Sequence, residues 1–487
     1  IRIGDWSSDV CSSDLFTKMS TTENTEEKEQ DIVVQGVHNY SAAETYCRPE
    51  EPILQEKLEW FQDQKLALMM HWGLYCELGM VASWALSDKD ADWSRHQVNW
   101  TDDGETFKKQ YFGLNKSFNP VRFQPEEWAQ MAEDCGFRYL LLTTKHHDGF
   151  CLWDTAYTDY KVTAEDCPFH ENEHADIVKS MFDAFREKGI GIGAYFSKAD
   201  WHCQDYWNPE LRKDGLTSRG PSYDPKDHPE MWSRFQEFTK NQVLELCKNY
   251  GKLDILWFDA GWVCKDNGQD IDLGGIVDEA RKIQPWVLSV DRTIGGPYEN
   301  YVTPELCIPE EPLFVPWESC LTLGADFTYE YGDRYKTPRE LVNLLVNIVA
   351  KGGNMALNVS PQPDGRIPVD ARESLFGFGQ WMKTYGEAIY GTRICAPYQS
   401  GNLSFTQKGD KVYAIRLYPV AQESVESRIF VPYTGKISEI HMLDSGKEVS
   451  FTETEGGLTL TVPAGYRQGT APIALVFEMK KEIGRAS

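Results

Sequence analysis

The chain has 487 residues, 41% of them hydrophobic, which suits one large domain plus a smaller one and excludes a wholly disordered polymer. Formal charge is −26, from 49 basic and 75 acidic residues, which argues against nucleic acid or an anionic membrane surface as a partner. No run of 18 apolar residues occurs, so no membrane-spanning helix is expected.

At the amino end, Asp5-Trp-Ser-Ser-Asp-Val-Cys-Ser-Ser-Asp-Leu15 reads as the translation of a sequencing adapter, as does Glu482-Ile-Gly-Arg-Ala-Ser487. The expectation is an open reading frame assembled from bacterial environmental DNA, with 1–18 and 482–487 not native and Met19 a plausible start. Residues 20–29 are polar and acidic, without the apolar core of a secretory signal. That points to the cytoplasm if Met19 is the start, and to the periplasm or outside if an upstream signal was lost.

From about Gly36 the chain becomes globular. Lys65-Leu-Ala-Leu-Met-Met70 is a short apolar strand that ends in His71-Trp-Gly73, and an aromatic-rich insertion, 84–118, follows. Pro125 to Cys135 places Trp128, Met131, Ala132 and Cys135 on one helical face, with Gly136 as the stop. The strand 138–144 comes next and ends in Lys145-His-His-Asp-Gly-Phe150.

The alternation then repeats. Helices are expected over 174–188, 230–250, 275–284, 338–351 and 370–385, and strands over 190–196, 286–290 and 354–359. Between them lies Lys252-Leu-Asp-Ile-Leu-Trp-Phe-Asp-Ala-Gly-Trp262, a buried-strand composition that stops at Asp259. Six strands ending in polar residues favour a parallel barrel over a doubly wound sheet, and no GxGxxG follows the first strand. The runs in 395–481 are short and alternating, as in Lys411-Val-Tyr-Ala-Ile-Arg-Leu417. The expected fold is α/β, a (β/α)8-type (TIM-like) catalytic barrel over 19–390 with a C-terminal antiparallel β-sandwich over 391–481.

A carboxylate ending a buried strand either caps the next turn or serves chemistry. Asp259, between Trp257 and Trp262, is the candidate nucleophile, and it needs an acid nearby. Glu305 is favoured by position, with Glu299, Glu310, Glu311 and Glu318 as competitors. His146 and His147 are adjacent, so on a strand end they would point opposite ways, one towards a substrate hydroxyl and one behind it. Their spacing does not suit a two-histidine metal site, and neither metal nor cofactor is expected. His71 can donate to the same hydroxyls, and Arg292 can hold Asp259 ionised or form an ordinary ion pair. Aromatics reach 13%, with 16 Trp, a content that suits stacking on sugar faces as well as plain core. The 12 cysteines show no CxxC pair and are expected as mostly buried free thiols.

These residues carry a resemblance. His71-Trp-Gly73, Lys145-His-His-Asp-Gly-Phe150, Leu256-Trp-Phe-Asp-Ala-Gly-Trp262, Asp291-Arg292, Thr303-Pro-Glu305, Pro316-Trp-Glu318 and Gly352-Gly-Asn-Met-Ala-Leu-Asn358 occur in the order seen in α-L-fucosidases of glycoside hydrolase family twenty-nine. The resemblance runs from about Gln55 to Thr392. It implies a retaining exo-glycosidase that removes terminal α-linked L-fucose through a covalent fucosyl-enzyme, with Asp259 as nucleophile and Glu305 as acid/base. The family's sugar-binding residues fall on His71, Trp84, His146, His147, Tyr195, Trp257, Arg292 and Phe327, with Phe196 as a rival for the Tyr195 register. The implied partner is a fucosylated glycan, and homo-oligomerisation is left open. One departure is Ser83-Trp84, where the family often has Glu-Trp; Asp88, Asp90 or Asp92 would be the nearby substitutes. A glycosidase for a galacto-configured sugar, a catalytically silent carbohydrate binder and a metal-dependent amidohydrolase are the competing readings.

Overall fold

A computed structural model describes residues 40–482. The terminal segments read as non-native lie outside the described residues, apart from Glu482. Seven parallel strands form one sheet: β1 (Leu66–Met70), β2 (Tyr139–Lys145), β3 (Gly191–Ser197), β4 (Ile255–Asp259), β5 (Leu288–Asp291), β6 (Glu318–Thr322) and β7 (Asn354–Asn358). Their order is β5-β4-β3-β2-β1-β7-β6. β1, β2, β6 and β7 are buried throughout, as in a parallel sheet covered on both faces, and β1 accordingly reads as a continuous apolar run rather than an alternating one.

Each helix–strand junction follows from local chemistry. In the helix Pro125–Cys135, Trp128, Met131, Ala132 and Cys135 are all buried, as their spacing requires. Gly136 then adopts φ +87°, and the Phe137 amide donates back to the Ala132 carbonyl at 2.9 Å. The helices Ile177–Glu187, Pro229–Asn249, Leu273–Ile283, Pro338–Ala350 and Val369–Tyr385 lie within a few residues of the expected bounds.

Between β5 and β6 the wall is irregular. The Asn300 amide donates to Ser289 O at 2.9 Å, Val302 N to Pro316 O at 3.0 Å, and Glu318 N to Val302 O at 2.9 Å. Val302 pairs with Trp317 and Glu305 with Cys320 in isolated parallel bridges. Segment 299–306 thus spans the gap as an eighth, non-strand stave. Pro304 and Pro316 supply no ladder donors there, which keeps the segment from becoming a regular strand. The barrel interior is filled by Ala67, Met69, Tyr139, Leu141, Tyr195, Trp257, Tyr301 and Ala356.

Eight antiparallel strands follow: β8 (Arg393–Ser400), β9 (Leu403–Lys408), β10 (Lys411–Leu417), β11 (Arg428–Val431), β12 (Ile437–Met442), β13 (Phe451–Thr454), β14 (Gly457–Thr461) and β15 (Ala474–Lys481). They form a five-stranded sheet, β12-β15-β10-β9-β8, and a three-stranded sheet, β11-β14-β13, that share one core including Phe405, Val431, Leu460 and Phe477. β8 and β9 pack on the helix Pro338–Ala350, whose Arg339 donates to Pro472 O at 2.9 Å. The described cysteines are free thiols, most of them buried. Among the described residues no helix is long and apolar enough to cross a membrane.

Candidate active site

Asp259 closes β4 at the carboxyl end of the barrel. Its Oδ1 accepts a hydrogen bond from Arg292 Nη1 at 2.8 Å, and its Oδ2 accepts one from the Tyr195 hydroxyl. His147 Nε2 stands 3.8 Å from Oδ2. Burial alone would raise this carboxyl. The charge of Arg292, then His147 and the Tyr195 hydrogen bond, outweigh burial and hold it well below the usual carboxylate range. It is therefore ionised throughout the neutral range while retaining 17% side-chain exposure, the state of an available nucleophile.

The same guanidinium carries a second carboxylate. Arg292 Nη2 donates to Glu305 Oε2, and Nε donates to Thr303 Oγ1 at 3.3 Å. Two carboxylates on the two terminal nitrogens of one arginine are thus brought to the same site, the pairing that a glycosidase needs. Of the competing acids, Glu299 is buried against Ser41 and the Gly295 amide, Glu310 is exposed, and Glu311 pairs with Tyr398. Glu318 lies inside the barrel below the site, accepting from Tyr139, from Trp257 Nε1 at 3.3 Å and from Tyr301 at 3.4 Å. It anchors the Trp257 indole, on whose face Arg292 lies at 4.5 Å.

Burial pushes Glu318, Asp148 and Glu299 up to about 7. Raised acids favour the folded state below their unfolded pKa and lose that contribution as pH rises through the folded value. Asp259 and Asp88, shifted down, already contribute in full at about pH 5. Buried neutral histidines act in the opposite sense over the same range, so Glu318 is isolated by comparison with Glu318→Gln: the melting-temperature difference, wild type minus variant, is expected to shrink by a few degrees between about pH 5 and about pH 8, measurable by calorimetry; a constant or growing difference would contradict the raised value.

The histidines are oriented by neighbours that settle which nitrogen carries the proton. Asn358 Nδ2 donates to Phe327 O at 2.7 Å, so its Oδ1 is the acceptor that takes both the His71 amide and His71 Nδ1–H, at 3.1 and 2.8 Å. Ser197 Oγ donates to Ala199 O at 2.6 Å and so accepts from His147 Nδ1–H at 2.7 Å. Both imidazoles then present a bare Nε2. Burial lowers the pKa of all three histidines, His147 to about 4, and keeps them neutral. Bare imidazole nitrogens accept hydrogen bonds from hydroxyl groups, as a sugar site requires.

His146 and His147 do not point opposite ways. Their rings are 4.0 Å apart, and with Asp259 they bring ligand-type atoms within 4.8 Å of one another. Strand alternation ends at Lys145, and the next residues turn instead, with Gly149 N bonded to His146 O and Gly149 at φ +78°. A Cβ on Gly149 would meet Asp200 Oδ1 at 2.2 Å, so both its angle and its space demand glycine. The cluster could in principle admit a cation, but Arg292 already supplies the positive charge at 2.8 Å from Asp259.

Tyr195, not Phe196, faces the site: its ring stacks on Trp257 at 5.2 Å, whereas Phe196 packs behind the sheet with Trp153 and Phe258. His71 abuts Tyr195 and Phe327 at 5.2 and 5.1 Å, and Trp84 stands edge-on to His147 at 5.3 Å. The acids near Ser83 do not replace a carboxylate at the site. Asp88 is taken by Arg95 and Lys108, Asp90 by Arg219, and Asp92 is exposed. Ser83 itself hydrogen-bonds His146 Nδ1 at 2.6 Å. The supporting residues Ser83, Ser197, Thr303, Glu318 and Asn358 thus orient the predicted ones. Of these, Thr303, Glu318 and Asn358 lay inside motifs quoted for the resemblance, Ser83 was singled out only as a departure from the family, and Ser197 showed no signal of this role.

Residues 33–387 match the family profile described as Alpha-L-fucosidase. The tissue α-L-fucosidase of Macaca fascicularis is 26% identical over 85% of this chain and 87% of that protein, and the plasma α-L-fucosidase of Rattus norvegicus is 28% identical over 83% and 87%. Among solved structures, α-L-fucosidase isoenzyme 1 from Paenibacillus thiaminolyticus superposes with a TM-score of 0.73 at 32% identity, covering 88% of this chain and 100% of that one. The Thermotoga maritima α-fucosidase in complex with a mechanism-based inhibitor gives 0.70 at 26%, over 90% and 100%. With the profile spanning most of the chain, the protein belongs to the α-L-fucosidase family of glycoside hydrolases.

Proposed function

We propose that this chain removes terminal α-L-fucosyl residues from oligosaccharides or glycoconjugates with retention of configuration, using Asp259 as nucleophile and Glu305 as acid/base. The observation that carries the assignment is the single guanidinium of Arg292 hydrogen-bonded to both carboxylates. In the first step an Asp259 oxygen attacks the anomeric carbon, the glycosidic bond breaks, and the leaving oxygen takes the proton of Glu305. In the second, Glu305 accepts a proton from water as that water attacks the same carbon, releasing Asp259 and α-L-fucose. His71 and His147 accept hydrogen bonds from sugar hydroxyls through Nε2, while Trp257 and Phe327 supply an apolar wall against the sugar's methyl group, where a 6-hydroxyl would be left unpaired. The barrel carries the reaction, and the sandwich buttresses it through the helix Pro338–Ala350.

The test is hydrolysis of 4-nitrophenyl α-L-fucoside followed by proton NMR in the first minutes. The expected first sugar is α-L-fucose; β-L-fucose as the first product overturns the mechanism, and turnover of galactosides in its place overturns the substrate. Arg292→Met is expected to move the acid limb of the kcat/KM profile up by about one to three pH units, the scale of losing an adjacent opposite charge. An unmoved limb would mean that Arg292 does not set the Asp259 charge.

A further inference from the structure

Trp84 differs from the other pocket walls in its support. It stands on the short turn Trp84–Leu86, well beyond the end of β1, so no barrel strand positions it. What faces it is Arg219, from the excursion between β3 and the helix Pro229–Asn249. The Arg219 guanidinium lies 5.2 Å from the Trp84 ring centroid and 5.4 Å from that of Trp262, across two indoles that are 5.7 Å apart.

Arg219 is itself firmly held. Its carbonyl accepts hydrogen bonds from Trp201 Nε1 at 3.1 Å, the Tyr206 hydroxyl at 2.9 Å and Trp262 Nε1 at 3.0 Å. Its amide and its Nε both donate to Asp90, the latter at 3.0 Å, and Ser87 donates to the same carboxylate at 2.8 Å. Beside this pair, Thr217 N donates to Asp88 at 2.9 Å while Asp88 N donates to Thr217 Oγ1 at 3.1 Å. Two carboxylates of the 84–118 insertion therefore grip 217–219 of the second excursion, and the grip holds Arg219 over Trp84, which stands against His147.

We propose that Arg219 is a positioning residue of the sugar pocket: clamped by Asp90 and laid across Trp84 and Trp262, it fixes the Trp84 wall against His147 and governs how tightly the sugar is held rather than how fast the bond breaks. The inference rests on the reading of the Asp259 pocket as the fucose site. Arg219 is suited to the task because its planar guanidinium can lie across two indoles while its Nε binds a carboxylate, a span that the single ammonium of a lysine does not match. Asp259 is held by Arg292 and Tyr195, and Glu305 by Arg292, supports that substitution of Arg219 or Asp90 leaves in place.

The experiment compares the full chain with Arg219→Met, Asp90→Asn and the double variant. With 4-nitrophenyl α-L-fucoside, Arg219→Met is expected to raise KM about tenfold while kcat stays within about twofold, the signature of lost uniform binding. The double variant should be no worse than Arg219→Met alone, because the two act as one unit. Arg219→Lys, which keeps the charge without the planar face, should recover only part of the loss. In parallel, hydrogen exchange followed by mass spectrometry should show faster exchange of amides 83–97 in Arg219→Met. An unchanged KM, a loss in kcat alone, or additive effects in the double variant would overturn the proposal. If the wild type is silent on fucosides, the functional reading fails separately, and unchanged exchange in 83–97 would then reject the clamp by itself.

Discussion

Asp259→Asn is expected to lower kcat on 4-nitrophenyl α-L-fucoside by about four orders of magnitude, the scale on which removal of a reacting group is felt. The substitution keeps the shape and removes the anion proposed to attack the anomeric carbon. The fold should survive, because the buried Arg292 keeps Glu305 and Thr303 as hydrogen-bond acceptors. The smaller variant Asp259→Ala opens room for an external nucleophile. Azide should then restore turnover and give β-L-fucosyl azide, since it attacks from the face Asp259 has vacated while Glu305 still protonates the leaving oxygen. Residual activity near wild type, or an α-configured azide, would place the nucleophile elsewhere.

The Glu305→Gln variant should separate substrates by their leaving groups. On a fucosylated oligosaccharide, whose leaving alkoxide needs a proton, the rate is expected to fall by about 10²–10⁴, the usual worth of general acid–base catalysis. With 4-nitrophenyl fucoside the first step proceeds without that proton, so the fucosyl-enzyme accumulates and a burst of nitrophenol appears. Azide then attacks the ester on Asp259 and yields α-L-fucosyl azide, the opposite anomer from the Asp259→Ala product. The pair of anomers assigns both roles in one experiment. Equal losses on both substrates with no burst would shift the acid/base role away from Glu305.

Much of the barrel was legible because its signals are local. The apolar face of Pro125–Cys135 and the terminating Gly136 are readable within one short window, and so is the apolar run that ends at Asp259. β6 was not readable: it begins with Glu318, a carboxylate that no strand pattern predicts inside a barrel and that is tolerable only because Tyr139, Trp257 and Tyr301 converge on it. The mutual direction of His146 and His147 was misjudged for a related reason. A period of two holds only while the strand continues, and where β2 stops depends on the approach of Asp200 to Gly149 from another loop.

By itself the amino-acid sequence determined the βα alternation, the strand that delivers Asp259, the set of residues around it, and the family to which the chain belongs. Only the tertiary structure decided that Arg292 bridges Asp259 and Glu305, that Ser197 and Asn358 leave His147 and His71 with bare Nε2 atoms, and that Arg219 lies over Trp84. The division has a physical cause. Helix and strand periodicities are set by neighbours a few residues apart, whereas these contacts join groups separated by up to 287 positions, and their geometry exists only once the strands are in register and the barrel wall is complete.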